Sequence, residues 1–70
     1  MSDTEDGRKA MINYLKREIK AEEKKLSRLR RALSDATRQA DTAERNKLVK
    51  AIARCEGRIK DRKNSIAKLQ

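Results

Sequence analysis

Three acids near the middle of the chain are the residues whose type and spacing could take part in chemistry. Asp35, Asp41 and Glu44 lie in a stretch, residues 34–44, whose only cation is Arg38. Carboxylate oxygens suit Mg²⁺, but the chain has no His and one Cys, which excludes a zinc site and an internal disulfide. We predict no enzymatic activity, no cofactor and no metal site of the chain's own.

Cys55 is the one candidate nucleophile. It lies at a position of the apolar repeat described below, and no catalytic group accompanies it. Because free cysteines are often buried as small hydrophobic residues, we predict that Cys55 belongs to the core.

The elements that position these residues can bury only a small hydrophobic core. The chain has 70 residues, no Phe, Trp or Pro, and a single aromatic residue, Tyr14. Domains of this size fold only marginally on their own. No apolar run is long enough to cross a bilayer and no signal-peptide pattern is present, which predicts a soluble, cytoplasmic protein.

Apolar residues recur at spacings of three and four, which is typical of coiled-coil helices. The predicted core seam consists of Ile12, Leu15, Ile19, Leu26, Leu29, Leu33, Leu48, Ile52, Cys55, Ile59, Ile66 and Leu69. The repeat changes phase near the middle of the chain, and facing pairs such as Leu29 with Ile52 have residue numbers that add to 81. The pattern predicts an all-α fold, an antiparallel two-helix coiled-coil hairpin.

The predicted boundaries are an acidic tail over residues 1–7 and a single hairpin over 8–70, with a helix over 8–38, a turn at about 39–41 and a helix over 42–70. Asp41 and Glu44 have capping-box spacing, which favours a helix start there. Residues 34–42 contain no Gly or Pro, which leaves open a continuous helix that pairs antiparallel with a second copy.

Self-association is a further open question. A hairpin could dimerise into a four-helix bundle, because a thin second stripe of small and apolar residues would support a weak homodimer. The residues of that second stripe are Met11, Ala21, Ala32, Val49, Ala51, Ala53 and Ala67.

Two polar residues interrupt the seam. In the register given above Glu22 faces Ile59 and Arg62 faces Ile19, on adjacent layers of the hairpin. We predict that Glu22 and Arg62 form an ion pair that fixes the register of the two helices.

The surface is strongly basic, with 20 Lys and Arg against 11 Asp and Glu and a net charge of +9. The predicted basic surface consists of Arg17, Lys20, Lys24, Arg28, Arg31, Lys47, Lys50, Arg54 and Lys60. Such a surface attracts polyanions by counterion release. Without aromatic side chains on which bases could stack, binding to RNA or DNA would be nonspecific. No membrane partner is expected, because the apolar seam residues are buried between the two helices.

The segment CEGRIKD, residues 55–61, resembles the second helix of the N-terminal coiled coil of bacterial Gre transcript-cleavage factors. Gly7 falls where that family has a glycine opening its first helix, and Met11 and Leu15 follow with a similar apolar spacing. The resemblance covers the hairpin and not the C-terminal domain of those factors.

The resemblance implies a non-enzymatic hairpin that binds RNA polymerase through its secondary channel and modulates or inhibits transcription. Family hairpins present two tip acids that help the polymerase hold a second catalytic Mg²⁺. Asp41 and Glu44 have the family's Asp-x-x-Glu spacing, but in an ungapped alignment the family's acids fall on Arg38 and Asp41. Two alternatives stay open: a basic hairpin that binds RNA or DNA nonspecifically, and a small inhibitory or adaptor protein that docks on an acidic protein.

Gly57 interrupts the second helix, where glycine costs about 1 kcal/mol relative to alanine. It would either let another helix or backbone approach closely, or be an inherited feature of the Gre family whose purpose lay in packing against the C-terminal domain of those factors. The residues alone do not separate these two interpretations.

Overall fold

The protein is a helical hairpin. The computed structural model describes the backbone of residues 2–70 and the side chains from residue 4 onward; helix α1 spans Ser2–Arg38 and helix α2 spans Thr42–Leu69. The two helices pack against each other as a rod of 58 × 15 × 12 Å, and residues 2–70 contain no strand. The predicted all-α hairpin is therefore confirmed, and the alternative of one continuous helix is wrong.

The first helix begins earlier than the sequence analysis predicted. Residues 2–7, expected to form a tail outside the hairpin, are the first turns of α1. Glu5 and Asp6 lie in these turns, where negative charge is stabilised by the positive end of the helix dipole. The acidic composition that suggested a tail thus favours a helix start instead.

A Schellman motif ends α1. The Ala40 N–H donates to the Thr37 carbonyl oxygen at 3.2 Å, and the Asp41 N–H donates to that of Ala36 at 2.9 Å. This pattern requires a left-handed residue directly after the C-cap residue Gln39, and Ala40 takes that conformation with φ of 56°. The chain therefore turns without Gly or Pro, because two backbone hydrogen bonds hold Ala40 in a conformation that alanine disfavours.

Asp41 starts α2, as its spacing to Glu44 predicted. Its Oδ1 atom accepts a hydrogen bond from the Glu44 N–H at 3.1 Å, and its carbonyl oxygen accepts from the Arg45 N–H at 2.9 Å. A full capping box would also use the Asp41 N–H, but that group already donates to Ala36. Only half of the predicted capping box forms, because the Asp41 N–H that the other half needs is already hydrogen-bonded to the end of α1.

The core is a single seam between the helices. Ile19, Leu26, Cys55 and Ile59 form its buried centre, and Leu29, Ile52 and Ile66 pack against them. All twelve predicted seam residues are buried or half-buried. The seam has one member that the sequence analysis omitted: Ala36, three residues after Leu33, is buried beside the bend.

Candidate nucleic-acid interface

One face of α1 carries an unbroken row of cations. Its members, here called the α1 basic stripe, are Arg17, Lys20, Lys24, Arg28 and Arg31. Their spacings of three and four place them on one side of the helix, opposite the seam, over about 21 Å at 1.5 Å per residue. No acid occupies this face between Arg17 and Arg31, because Glu18, Glu22 and Glu23 fall at the seam or on its flanks.

The outer face of α2 is basic but interrupted. Lys47, Lys50, Arg54 and Lys60 are exposed, as predicted. Gly57 and then Asp61 follow Arg54 in the same row. The row of cations is therefore interrupted first by a residue without a side chain and then by an acid. Within this row the cations therefore cluster between the bend and Arg54.

The nine predicted surface cations are unpaired within the residues whose side chains the structure describes. The ion pairs found there use other cations: Arg30 with Glu56, Arg38 with Asp35, Arg58 with Glu22, and Arg62 with Glu18. The partly buried acids Glu18 and Glu22 thus neutralise Arg62 and Arg58, and the exposed acids Asp35 and Glu56 neutralise Arg38 and Arg30. The stripe on α1 keeps its full charge available for a partner.

Glu22 does not pair with Arg62, so that prediction is wrong. Its Oε1 and Oε2 atoms accept from Arg58 Nε at 3.1 Å and Nη2 at 3.2 Å, and Oε2 also lies 3.0 Å from Cys55 Sγ. Cys55 and Arg58 are one turn apart on α2, and the thiol draws the Glu22 carboxylate toward that turn. Arg62, a further turn away, lies 3.7 Å from Glu18 instead.

The contacts of Glu22 shift the pKa values of all three groups. Hydrogen bonds from Cys55 and then from Arg58 lower the pKa of Glu22 below its usual value. Burial, and then the neighbouring Glu22 carboxylate, raise the pKa of the Cys55 thiol. Hydrogen bonding to Glu22 raises the pKa of Arg58. Glu22 and Arg58 are therefore charged at neutral pH, and the thiol between the helices is neutral.

Cys55 is fully buried, with no exposed surface, and it is a free cysteine. Its Sγ also lies 3.2 Å from the Glu22 carbonyl oxygen, so the S–H is held between two acceptors. A protonated, enclosed thiol is a poor nucleophile, because thiolate is the reactive form. The structure therefore places Cys55 in the core and gives it no position from which to attack a substrate.

The three predicted tip acids have separate surroundings. Asp35 lies one turn before the bend and accepts from Arg38 at 2.6 Å, Asp41 caps α2, and Glu44 is exposed in the first turn of α2. One Asp41 carboxylate oxygen is thus committed to the backbone, and Asp35 is neutralised by its neighbour. Among the described residues no group of three or more His, Cys, Asp or Glu side chains is arranged to hold a metal ion.

Comparison of the chain with protein-family models, with curated proteins and with solved structures gives no match. Within the described residues, neither helix is long and apolar enough to span a membrane.

Proposed function

We propose that this hairpin is a non-enzymatic binding module whose α1 basic stripe holds the phosphate backbone of a nucleic acid. The observation that supports the proposal is the row of five exposed cations with no acid on its face and no ion pair among the described side chains. A solvated helix face that served only solubility would not need to separate the two charge signs in this way.

The size of the stripe suits a polynucleotide. It extends over about 21 Å, and one strand of a duplex carries a phosphate about every 3.4 Å along the axis, so about six phosphates lie within its reach. The stripe contains no aromatic side chain on which a base could stack. Recognition would therefore rest on charge and would not depend on sequence.

The test is a salt titration of binding to labelled duplexes of mixed sequence, followed by fluorescence anisotropy. If all five stripe cations contact phosphates, the logarithm of the affinity falls with the logarithm of salt concentration with a slope of about −4.5. Between 50 and 200 mM salt that slope corresponds to a loss of about 500-fold.

A charge-matched pair of variants separates the stripe from net charge. Lys24→Gln with Arg28→Gln removes the centre of the stripe, and Lys63→Gln with Lys68→Gln removes the same charge from exposed positions near the end of α2. The first pair is expected to make the slope shallower by about 1.8, at about 0.9 per lost contact, and the second to leave it nearly unchanged. Equal losses in both would show that net charge, and not the stripe, drives binding.

The second candidate function is the one that the Gre resemblance implies, a hairpin that enters the secondary channel of RNA polymerase. A rod of 58 × 15 × 12 Å with three acids around its bend supports this candidate. The separate surroundings of those acids favour occupying the channel over assisting metal-dependent cleavage. A pull-down with purified bacterial core polymerase tests the contact.

Variants at the bend test the role of the acids. Asp41→Ser keeps a residue that can cap α2 while removing the charge, and Glu44→Gln removes the second acid. If the hairpin stimulates transcript cleavage and both variants keep that stimulation, the acids do not help to hold Mg²⁺. If the wild-type hairpin inhibits cleavage, occupation of the channel is the supported role.

A further inference from the structure

Helix α1 continues past the end of α2. Glu22 contacts Arg58 and Glu18 contacts Arg62, and this register puts Ile12 close to the level of Leu69, where α2 ends, whereas α1 begins at Ser2. Residues 2–11, here called the overhang, therefore form about 15 Å of helix with no α2 alongside. A helix so short gains little stability by itself in water, because most helical stability in proteins comes from packing.

The overhang and the turn after it carry an apolar patch. Gly7, Ala10, Met11 and Tyr14 line one shallow, open depression on the surface. Met11 is 49% exposed and Tyr14 is 52% exposed, two of the largest exposed apolar side chains of the described residues. A Cβ atom built on Gly7 would meet none of the described atoms within 4 Å, so no described residue fills the space above that glycine.

The four patch residues are ordered by size along the helix. The small residues Gly7 and Ala10 lie toward the N-terminus, and the large residues Met11 and Tyr14 lie toward the bend. When two copies align antiparallel about a two-fold axis, Tyr14 of one copy faces Gly7 of the other, and Met11 faces Ala10. A parallel alignment would place Tyr14 against Tyr14 and leave a gap at each Gly7.

The charges beside the patch favour the same alignment. Asp6 and Arg17 lie toward the same flank of the helix, before and after the patch. An antiparallel two-fold arrangement brings like flanks together, so Asp6 of each copy comes within about one turn of Arg17 of the other. A parallel alignment would instead place the acidic first turns of both copies side by side.

We propose that the patch is an interface between two copies of this chain, which join end to end by overlapping their overhangs antiparallel. The proposal does not depend on the proposed function, since Lys20, Lys24, Arg28 and Arg31 stay exposed in such a dimer. The contact runs over about five helical turns of each copy. A contact between two single helices of this length buries less than the 1,200 Å² or more of stable interfaces, so the dimer is in exchange with its monomer.

Sedimentation equilibrium and small-angle X-ray scattering over a concentration series test the arrangement. The weight-average mass is expected to rise from 8.1 kDa toward twice that value as concentration increases. The maximum dimension is expected to rise from the 58 Å of one rod to about 90 Å, because the two rods share about 26 Å, from Ser2 to the level of Ile19. A dimer that stays close to 60 Å long would be a side-by-side bundle, and a constant mass would mean no dimer; either result overturns the proposal.

Two substitutions of matched exposure locate the interface. Met11→Glu is expected to reduce the association constant at least tenfold. Val49→Glu, at a position on α2 that is also 49% exposed, is expected to leave the association constant unchanged. Circular dichroism would confirm that both variants remain helical. A loss of association in Val49→Glu with none in Met11→Glu would move the interface to α2 and refute the proposal.

Disulfide trapping tests the alignment. A mixture of Gly7→Cys and Tyr14→Cys chains is expected to give mainly the mixed disulfide, with the parent chain as a control for the buried Cys55. A preference for Gly7→Cys with itself would indicate a parallel alignment and would refute the antiparallel one.

Discussion

Gly57→Ala is expected to stabilise the hairpin. Gly57 is exposed in the middle of α2, its φ angle is not positive, and a Cβ atom added there would meet nothing within 4 Å. Nothing among the residues that the structure describes therefore requires a glycine at this position. The substitution should recover the difference in helix propensity between glycine and alanine, about 1 kcal/mol of unfolding free energy.

The expected change in melting temperature follows from the chain length. At about 2.1 cal/mol/K per residue, the unfolding entropy of 70 residues is about 0.15 kcal/mol/K. A gain of about 1 kcal/mol then raises the melting temperature by about 7 °C. Thermal unfolding followed by circular dichroism at 222 nm, a standard helix signal, measures this shift directly.

Ala53→Gly is the matched control, because Ala53 is exposed one turn before Gly57 on the same helix. It is expected to lower the melting temperature by a similar amount. A Gly57→Ala variant that melts at or below the parent temperature would refute the reasoning. It would mean that this face of α2 is covered by something other than solvent, and repeating the melt at several concentrations would reveal whether that is a second copy.

Three further predictions concern the bend and the contacts of Glu22. Ala40→Gly is expected to raise the unfolding free energy by about 1 kcal/mol in urea titrations, since glycine adopts the left-handed conformation at no steric cost; a loss would show that Ala40 is not left-handed in solution. The lowered pKa of Glu22 contributes stability that is present above the ordinary value of 4.5 and is lost as pH falls through the folded-state pKa; the gap in urea midpoint between the parent and Glu22→Gln should therefore shrink below pH 4.5, and a constant gap would contradict the assignment. Cys55 is expected to react with a disulfide reagent about 100-fold more slowly in the native state than in urea, because it reacts only when the helices open by about 3 kcal/mol; equal rates would show that the thiol is not enclosed.

The spacing of apolar residues was enough to predict the seam and the pairing of the two helices. A coiled-coil repeat and a constant sum of facing residue numbers leave one antiparallel register, and Leu26 and Cys55 lie together in the core as that register requires. Ala36 was missed because alanine is too small to mark a seam position by type, although its spacing of three from Leu33 indicated one.

The predictions that failed concern groups that compete for the same hydrogen-bond partner. The partner of Glu22 could not be read from seam layers, because the buried thiol of Cys55 attracts the same carboxylate as the arginines. The end of α1 carried no glycine signal, since backbone hydrogen bonds hold Ala40 in a conformation that alanine seldom adopts. The nine surface cations were predicted from composition and helix face. That the nearby acids pair with other cations and leave these nine unpaired could be seen only in the structure.

The shared use of Asp41 by both helices has a consequence for how the chain folds. Its N–H completes the last hydrogen bonds of α1 while its carboxylate and carbonyl oxygen begin α2, so each helix end helps to position the residue that the other uses. Among the facing pairs of seam residues, Leu33 and Leu48 are the closest in sequence. The loop that closes between them is therefore the shortest, and its entropic cost is the smallest. We expect folding to start at the bend and to proceed toward Ile12 and Leu69. The contacts between those two residues would form last and break first, and fast amide hydrogen exchange at that end of the hairpin would report this.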